Sequence, residues 1–329
     1  MQQNDFKGLI HSTMTAIIAG IVISVVGILV FEYSSNSYKT DLILKQENQN
    51  QQDQLISNEE YPVFSYHISN EIIYSSDNNF EISSNSINKA PTKSKKKITA
   101  LAYSVENLTD DKVVLQNNQY KLLPMASITK LVTAVIAKKF MDQDQLIDIT
   151  PQMVATYGNE ARFRIGEKMT VSELLYPLLM VSSNDASEAL AMSYPKGRKE
   201  FIKEMNNWTN SIGAYRTYFA DPSGLSSGNV STANDLMIIT KWIMKNDIDI
   251  INITSNKIKN LRTHTWTNPT HFLNLSIYLG GKNGYTVQAN RTGVSIFQIG
   301  KSKKVFVVVL LGSSSRDIDT LDLLDEAVL

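Results

Sequence analysis

The sequence predicts an α+β fold: an antiparallel sheet flanked by helices, with an all-α subdomain inserted between its early and late strands, preceded by a single transmembrane helix. Three observations carry this expectation. Strand-like patterns stand at both ends of the segment from residue 98 onward, with helical patterns between them. A long uncharged apolar stretch lies near the N-terminus, and a polar, low-complexity stretch separates the two.

Residues 8–31 carry no fixed charge, and their centre, MTAIIAGIVISVVGILVF, is apolar on every helical face. At about 1.5 Å of rise per residue such a helix spans roughly the 30 Å hydrocarbon layer. A cleaved signal peptide would leave through a small-x-small site, whereas this segment exits through Phe31-Glu32-Tyr33. The expectation is a short tail at 1–12 and an uncleaved anchor at 13–31. Lys7 and Lys39 flank it on either side and set orientation only weakly. Residues 32–96 are rich in Asn, Gln and Ser, as in QENQNQQDQ, and bury too little apolar surface to offset ordering entropy. They read as a spacer ending in the basic run Lys93–Lys97, a solvated domain edge.

The folded domain is expected over 97–329. ITALAYSVEN and KVVLQNN, joined by LTDD, read as a β-hairpin. A helix follows from Ser127 to about Phe140, then a helical TVSELLYPLLM in which Thr170 and Glu173 have capping-box spacing. After a break at residues 182–184, helical patterns run to about Ser193, over 197–212 and over 233–245. YLGGKNGYT, TGVSIFQIG and KKVFVVVLLG then read as strands. The unbroken apolar run 306–311 suits a strand buried on both faces. A last helix from Ser315 carries Ile318, Leu321, Leu324 and Val328 at near-helical spacing as its core face.

Composition narrows the chemistry. The 329 residues hold 32 basic and 32 acidic side chains, a formal net charge of zero, so no global charge argues for nucleic acid as partner. There is no cysteine, which excludes disulfides, a thiol nucleophile and thiolate metal sites. His11, His67, His264 and His271 show no ligand spacing, and neither metal nor cofactor is expected.

Three short motifs remain. In PMASITK, Ser127 and Lys130 lie three apart, on one helical face and at its N-terminus, where free N–H groups favour developing negative charge. A serine hydroxyl needs a base, and lysine serves only when burial or a neighbouring cation keeps it neutral. Alone, this spacing is common and Ser127 reads equally well as a helix cap. Ser182-Ser183-Asn184 follows in a break between helices. Ser182 is placed to pass protons between Lys130 and a leaving amine, and Asn184 to hold Lys130 or a substrate amide. Lys282-Asn283-Gly284 sits on a strand. Lys282 would bring a second cation, Gly284 would let a substrate backbone approach closely, and the Tyr285 N–H would pair with that of Ser127 as an oxyanion hole.

The ordered set Ser-x-x-Lys, Ser-x-Asn and a Lys-Thr-Gly-like triplet marks penicillin-binding proteins and class A β-lactamases. With LLPMASITKLVTAVIA, LLMVSSNDASEALA, FADPSGLSSGNVSTANDL and VVLLGSSSRD, the chain from residue 98 onward resembles the D-alanyl-D-alanine carboxypeptidases among the low-molecular-mass penicillin-binding proteins. The resemblance implies a β-lactamase/transpeptidase-like domain that acylates Ser127 on a peptidoglycan stem peptide ending in D-Ala-D-Ala, is inhibited by β-lactams, and lies outside the cell membrane, where the single-pass anchor read at 13–31 would tether it. Asp221 stands where the family usually has Asn, and Asn283 where it has Thr or Ser. That hydroxyl meets the substrate's terminal carboxylate, so Asn283 leaves strict carboxypeptidase specificity open against endopeptidase or transpeptidase action on cross-linked peptides. It is also the one feature favouring a non-catalytic wall-binding homologue. Arg291 is a further candidate for carboxylate contact. No Glu-x-x-x-Asn pattern of a water-activating loop occurs in 195–225, against a β-lactamase.

Overall fold

The computed structural model describes residues 92–329. The expected anchor at 13–31 and the spacer up to residue 91 lie outside the described residues. Among the described residues no helix is long and apolar enough to cross a membrane.

The hairpin is present as β1 (Ala102–Asn107) and β2 (Lys112–Asn117). Strand β3 (Leu123–Pro124) and a 3-10 turn (Ala126–Ile128) lead into α1 (Thr129–Phe140). The helical block continues through β4 (Leu146–Asp148), α2 (Pro151–Val154), β5 (Lys168–Thr170), α3 (Val171–Met180), α4 (Asn184–Met192) and α5 (Gly197–Ser211). Then come β6 (Val230–Ser231), α6 (Ala233–Asn246), α7 (Ile248–Thr254) and a second hairpin of β7 (Ile258–Leu261) and β8 (His264–Thr267). The chain closes with β9 (Tyr278–Thr286), β10 (Asn290–Ile299), β11 (Lys304–Ser313) and α8 (Arg316–Val328).

One antiparallel sheet in the order β2-β1-β11-β10-β9 joins the two ends of the domain. The apolar run in β11 is buried throughout, and its period-2 alternation divides it between two cores. Val307, Val309 and Leu311 face the large core shared with the helical block. Phe306, Val308 and Leu310 face a smaller one with Tyr103, Val105, Phe297, Leu323 and Leu324. At about 1.5–3 kcal/mol per fully buried large aliphatic or aromatic side chain, this strand ties both layers to the sheet.

Local chemistry explains the break that carries the second motif. Helix α3 starts on the expected capping box, with the Glu173 N–H donating to Thr170 Oγ1 at 3.1 Å and the Thr170 N–H to Glu173 Oε2 at 2.8 Å. Pro177 inside the helix removes one backbone donor, and the helix ends within a turn of it. Ser183 then caps α4, accepting from the Ala186 N–H at 3.0 Å.

Two expectations shift. The ordered fold extends upstream of residue 97: Ser94 and Lys95 bond Glu326, and Lys96 pairs with Asp322 and Asp325 at 3.0 and 2.8 Å. The basic run is therefore partly a clasp onto α8. The core face of α8 also differs from the expected stripe. Ile318, Leu321 and Val328 are exposed, while Asp319, Thr320, Leu323 and Leu324 are buried. Asp319 turns the helix, accepting from the Thr99 N–H at 3.0 Å and from the Thr99 and Ser313 hydroxyls at 2.7 Å each.

Candidate active site

Ser127 sits in the 3-10 turn that opens α1, one turn before Lys130. Ala126 takes the left-handed region at φ 50°, a strained conformation for a residue with a Cβ. The turn is held from three sides. Thr292 Oγ1 donates to the Met125 carbonyl at 2.9 Å, and the Met125 N–H donates to the Asn229 carbonyl at 3.0 Å. A Cβ at Gly284 would lie 2.8 Å from the Ser127 nitrogen, so β9 passes against the Ser127 backbone only because that residue is glycine.

Lys130 is fully buried, and its Nζ has three neighbours: Ser127 Oγ at 3.0 Å, Asn184 Oδ1 at 2.6 Å and the Ser223 carbonyl at 2.6 Å. Burial lowers its pKa from 10.5 to about 7, against the opposing pull of Asp221, Asp185 and Glu188. The amine is thus half neutral near pH 7, with a lone pair for the Ser127 proton. Asp221 builds the loop that supplies the Ser223 carbonyl. Its Oδ1 accepts from the N–H groups of Ser223 and Gly224 at 2.7 and 2.6 Å, and its Oδ2 from that of Ser226 at 2.6 Å.

Asn184 reaches Lys130 with its oxygen, while its Nδ2 donates to the Tyr157 carbonyl at 2.6 Å and its N–H to the Gly158 carbonyl at 3.1 Å. Of the two partners expected for Asn184, the structure shows the lysine. Ser182, at φ 60°, is bonded differently from expectation: its Oγ accepts from Lys282 Nζ at 2.9 Å, and Lys130 has the Ser223 carbonyl instead. Lys282 also donates to the Asn283 carbonyl at 2.9 Å. Its pKa lies well below the ordinary lysine value, through burial first, then Lys130, then Arg316.

β9 is the edge strand, so backbone groups that do not pair with β10 face the cleft. Tyr285 points outward, 59% exposed, at the rim. Asn283 Nδ2 donates to Thr270 Oγ1 at 3.4 Å, and its Oδ1 is buried with no partner among the described residues. A Cβ at Gly293 would lie 3.0 Å from Arg316 Cδ and 3.8 Å from Asn283 Oδ1, which puts Arg316 beside the third motif. Arg291, the arginine considered from sequence, instead donates to the Ser314 carbonyl at 3.1 Å and lies over the Tyr285 ring. Arg316 was missed as a site residue, although SSSRD was already part of the family resemblance.

Ser127, Ser182, Asn184 and Tyr285 open onto one cavity of about 840 Å³. Its far wall is the 157–167 loop, braced by the β7–β8 hairpin. Trp266 Nε1 donates to the Ala161 carbonyl at 3.1 Å, and His264 Nε2 meets Glu167 Oε1 at 2.8 Å while its ring stacks on Trp266. Arg262 clamps both oxygens of Glu173 at 2.8 Å. Among the described residues no group of three His, Asp or Glu side chains is placed to hold a metal ion.

Known proteins resemble this chain in sequence and fold. The family model described as D-alanyl-D-alanine carboxypeptidase matches residues 66–314. A D-alanyl-D-alanine endopeptidase of Escherichia coli is 33% identical over 213 residues, covering 62% of this chain and 66% of that protein. A D-alanyl-D-alanine carboxypeptidase of Bacillus subtilis is 29% identical over 210 residues, covering 60% of this chain and 54% of that protein. The chain thus spans about two thirds or less of these relatives' lengths. The crystal structure of the Streptomyces K15 DD-transpeptidase superposes with a TM-score of 0.66 at 25% identity, covering 71% of this chain and 98% of that one.

Proposed function

Because this chain belongs to the D-alanyl-D-alanine carboxypeptidase family, we propose that it is a serine peptidase acting on peptidoglycan peptides that end in D-Ala-D-Ala, through an acyl-enzyme on Ser127. The observation that carries the reading is the buried Lys130 amine, 3.0 Å from Ser127 Oγ with a pKa of about 7. Neutral Lys130 takes the hydroxyl proton as Ser127 Oγ bonds to the carbonyl carbon of the penultimate D-Ala. The N–H groups of Ser127 and Tyr285 receive the oxyanion, each such donor contributing about 2.7–4 kcal/mol to the transition state. The C–N bond then breaks, and the amine leaves with the proton that Lys130 took from Ser127, relayed by the hydroxyl of Ser182, which Lys282 hydrogen-bonds; this returns Lys130 to its neutral form. Water cleaves the ester with Lys130 again as base. Arg316 supplies positive charge, and Lys282 and Asn283 supply N–H donors, for the leaving residue's carboxylate, and β-lactams inhibit by acylating the same serine.

Carboxypeptidase action, removing the terminal D-Ala, is the first reading. Endopeptidase action on cross-links is the second, favoured by the Escherichia coli endopeptidase among the relatives and by the spacious cleft. Wild-type protein should become covalently labelled by a fluorescent penicillin and Ser127→Ala protein should not. Equal labelling of both would refute the nucleophile. Products from a D-Ala-D-Ala pentapeptide and from a cross-linked dimer separate the two readings. Absent labelling with retained peptide binding would instead mark a non-catalytic wall-binding protein.

The uncharged run at 13–31 supports a membrane anchor with the catalytic domain outside the cell. Protease treatment of intact cells should then remove the domain; its protection would overturn the topology.

A further inference from the structure

The catalytic centre uses one end of the cavity, and the other end carries charge that the reaction leaves unassigned. Residues 161–164 alternate strictly in burial: Ala161 and Phe163 are buried, Arg162 and Arg164 exposed. Ala161 is locked by the Trp266 bond, and Phe163 packs edge-on against His264 and Trp266. Both arginines line the cavity that holds Ser127. Among the described residues neither forms an ion pair, whereas Arg198, Arg262 and Arg316 all do. Of the loop's two carboxylates Glu160 lines the cavity and Glu167 does not, so within the cavity two guanidinium groups stand against one carboxylate from this loop.

The loop is placed rigidly. At its start the Tyr157 and Gly158 carbonyls are bonded by Asn184, the residue that also holds Lys130. At its end Glu167 receives His264 and the Arg164 N–H at 3.2 Å. Arg162 occupies a left-handed backbone position at φ 57°, which an arginine adopts at a cost. Two like charges two residues apart, exposed to one cleft on a loop whose start is bonded by Asn184, suit an anionic ligand, since guanidinium matches carboxylate geometry and is always charged.

We propose that Arg162 and Arg164 form a subsite for a second, internal carboxylate of the peptide substrate, distinct from the terminal carboxylate met by Lys282 and Arg316. The inference rests on the peptidase reading above and adds a substrate preference: acidic stem peptides over their amidated counterparts. Substrate selection would thus occur on the loop braced by the β7–β8 hairpin, away from the three motifs.

The test uses D-Ala-D-Ala peptides bearing a free carboxylate, or its carboxamide, on the first or second residue before the penultimate D-Ala. D-Ala release is followed with wild type and with Arg162→Gln/Arg164→Gln protein. Wild type is expected to favour the carboxylate by about tenfold or more in kcat/KM at one of the two positions. That ratio falls to about one in the double variant and to intermediate values in each single variant. Ratios within twofold in wild type at both positions, or an undiminished ratio in the double variant, would overturn the subsite. Calorimetric Kd values for the same peptides on Ser127→Ala protein read the discrimination without chemistry. Failure of wild type to label with penicillin would then count against the peptidase reading alone.

Discussion

In the proposed mechanism Lys130 would set the pH at which acylation begins, and its surroundings give the number. Burial takes the amine from 10.5 to about 7, which at 1.36 kcal/mol per pH unit is about 5 kcal/mol of disfavour for the ammonium form. In that mechanism the base is the neutral amine, so activity should be lost as pH falls through 7 and gained as it rises. The neutral fraction is about 3% at pH 5.5, half at pH 7 and about 97% at pH 8.5, so the second-order rate constant for penicillin acylation should climb about 30-fold over that interval and then level. An ordinary exposed lysine would still be climbing tenfold per unit at pH 9. Stopped-flow acylation from pH 5 to 10 measures this directly. A rate flat from 5.5 to 8.5, or one still rising steeply at 9, would refute Lys130 as the base. Lys130→Arg, which keeps the charge but cannot deprotonate, should lose about 10²–10⁴-fold at every pH.

Asp221→Asn should move that midpoint to lower pH, because the Asp221 carboxylate holds the Lys130 pKa up. It should also lower stability in thermal melts by about 1–3 kcal/mol if the amide nitrogen faces the Ser226 N–H; an unmoved midpoint would show that the two groups are not coupled. Gly284→Ala should cut acylation by at least about 100-fold while the protein remains folded by circular dichroism, since the new Cβ meets the Ser127 nitrogen at 2.8 Å and Thr292 Oγ1 at 2.5 Å. Asn283→Thr should replace the unpartnered Oδ1 with a hydroxyl and raise kcat/KM on D-Ala-D-Ala pentapeptide relative to a cross-linked dimer about three- to tenfold; an unchanged product ratio would remove Asn283 as a determinant.

Much of the domain was legible because local signals agreed with the tertiary outcome. The Thr170–Glu173 box starts α3, the apolar run of β11 lies buried between two layers, and the three motifs meet through two hydrogen bonds, Lys130 to Asn184 and Lys282 to Ser182, the latter across 100 residues. What escaped depended on long-range partners. The core face of α8 was misassigned because Asp319 is buried by bonds to Thr99, 220 residues away, which no periodicity reveals. The β7–β8 hairpin went unrecognised because IKNL and HTWT are only four residues each, too short to stand out as a pattern; Trp266 and His264 matter through the loop they brace. Arg316 was passed over for Arg291 because it lies at the start of α8, 33 residues after Asn283 (316 − 283), and reaches the third motif only through the tertiary packing of that helix beside Gly293.

The pairing of β1 with β11 has a consequence for how the molecule is made. Ala102 lies opposite Leu311, so this early strand finds its central partner only after 209 more residues have been synthesised (311 − 102). At 5–20 residues per second that interval is about 10–40 s, during which β1 has only its hairpin neighbour and exposes an apolar face. β9, which passes against Ser127, also arrives late, so the nucleophile's surroundings cannot be complete on a nascent chain. Contacts of such sequence separation fold slowly. A ribosome-bound chain stalled before β9 should therefore be blind to penicillin, with Ser127 gaining its reactivity only in the last steps of biogenesis.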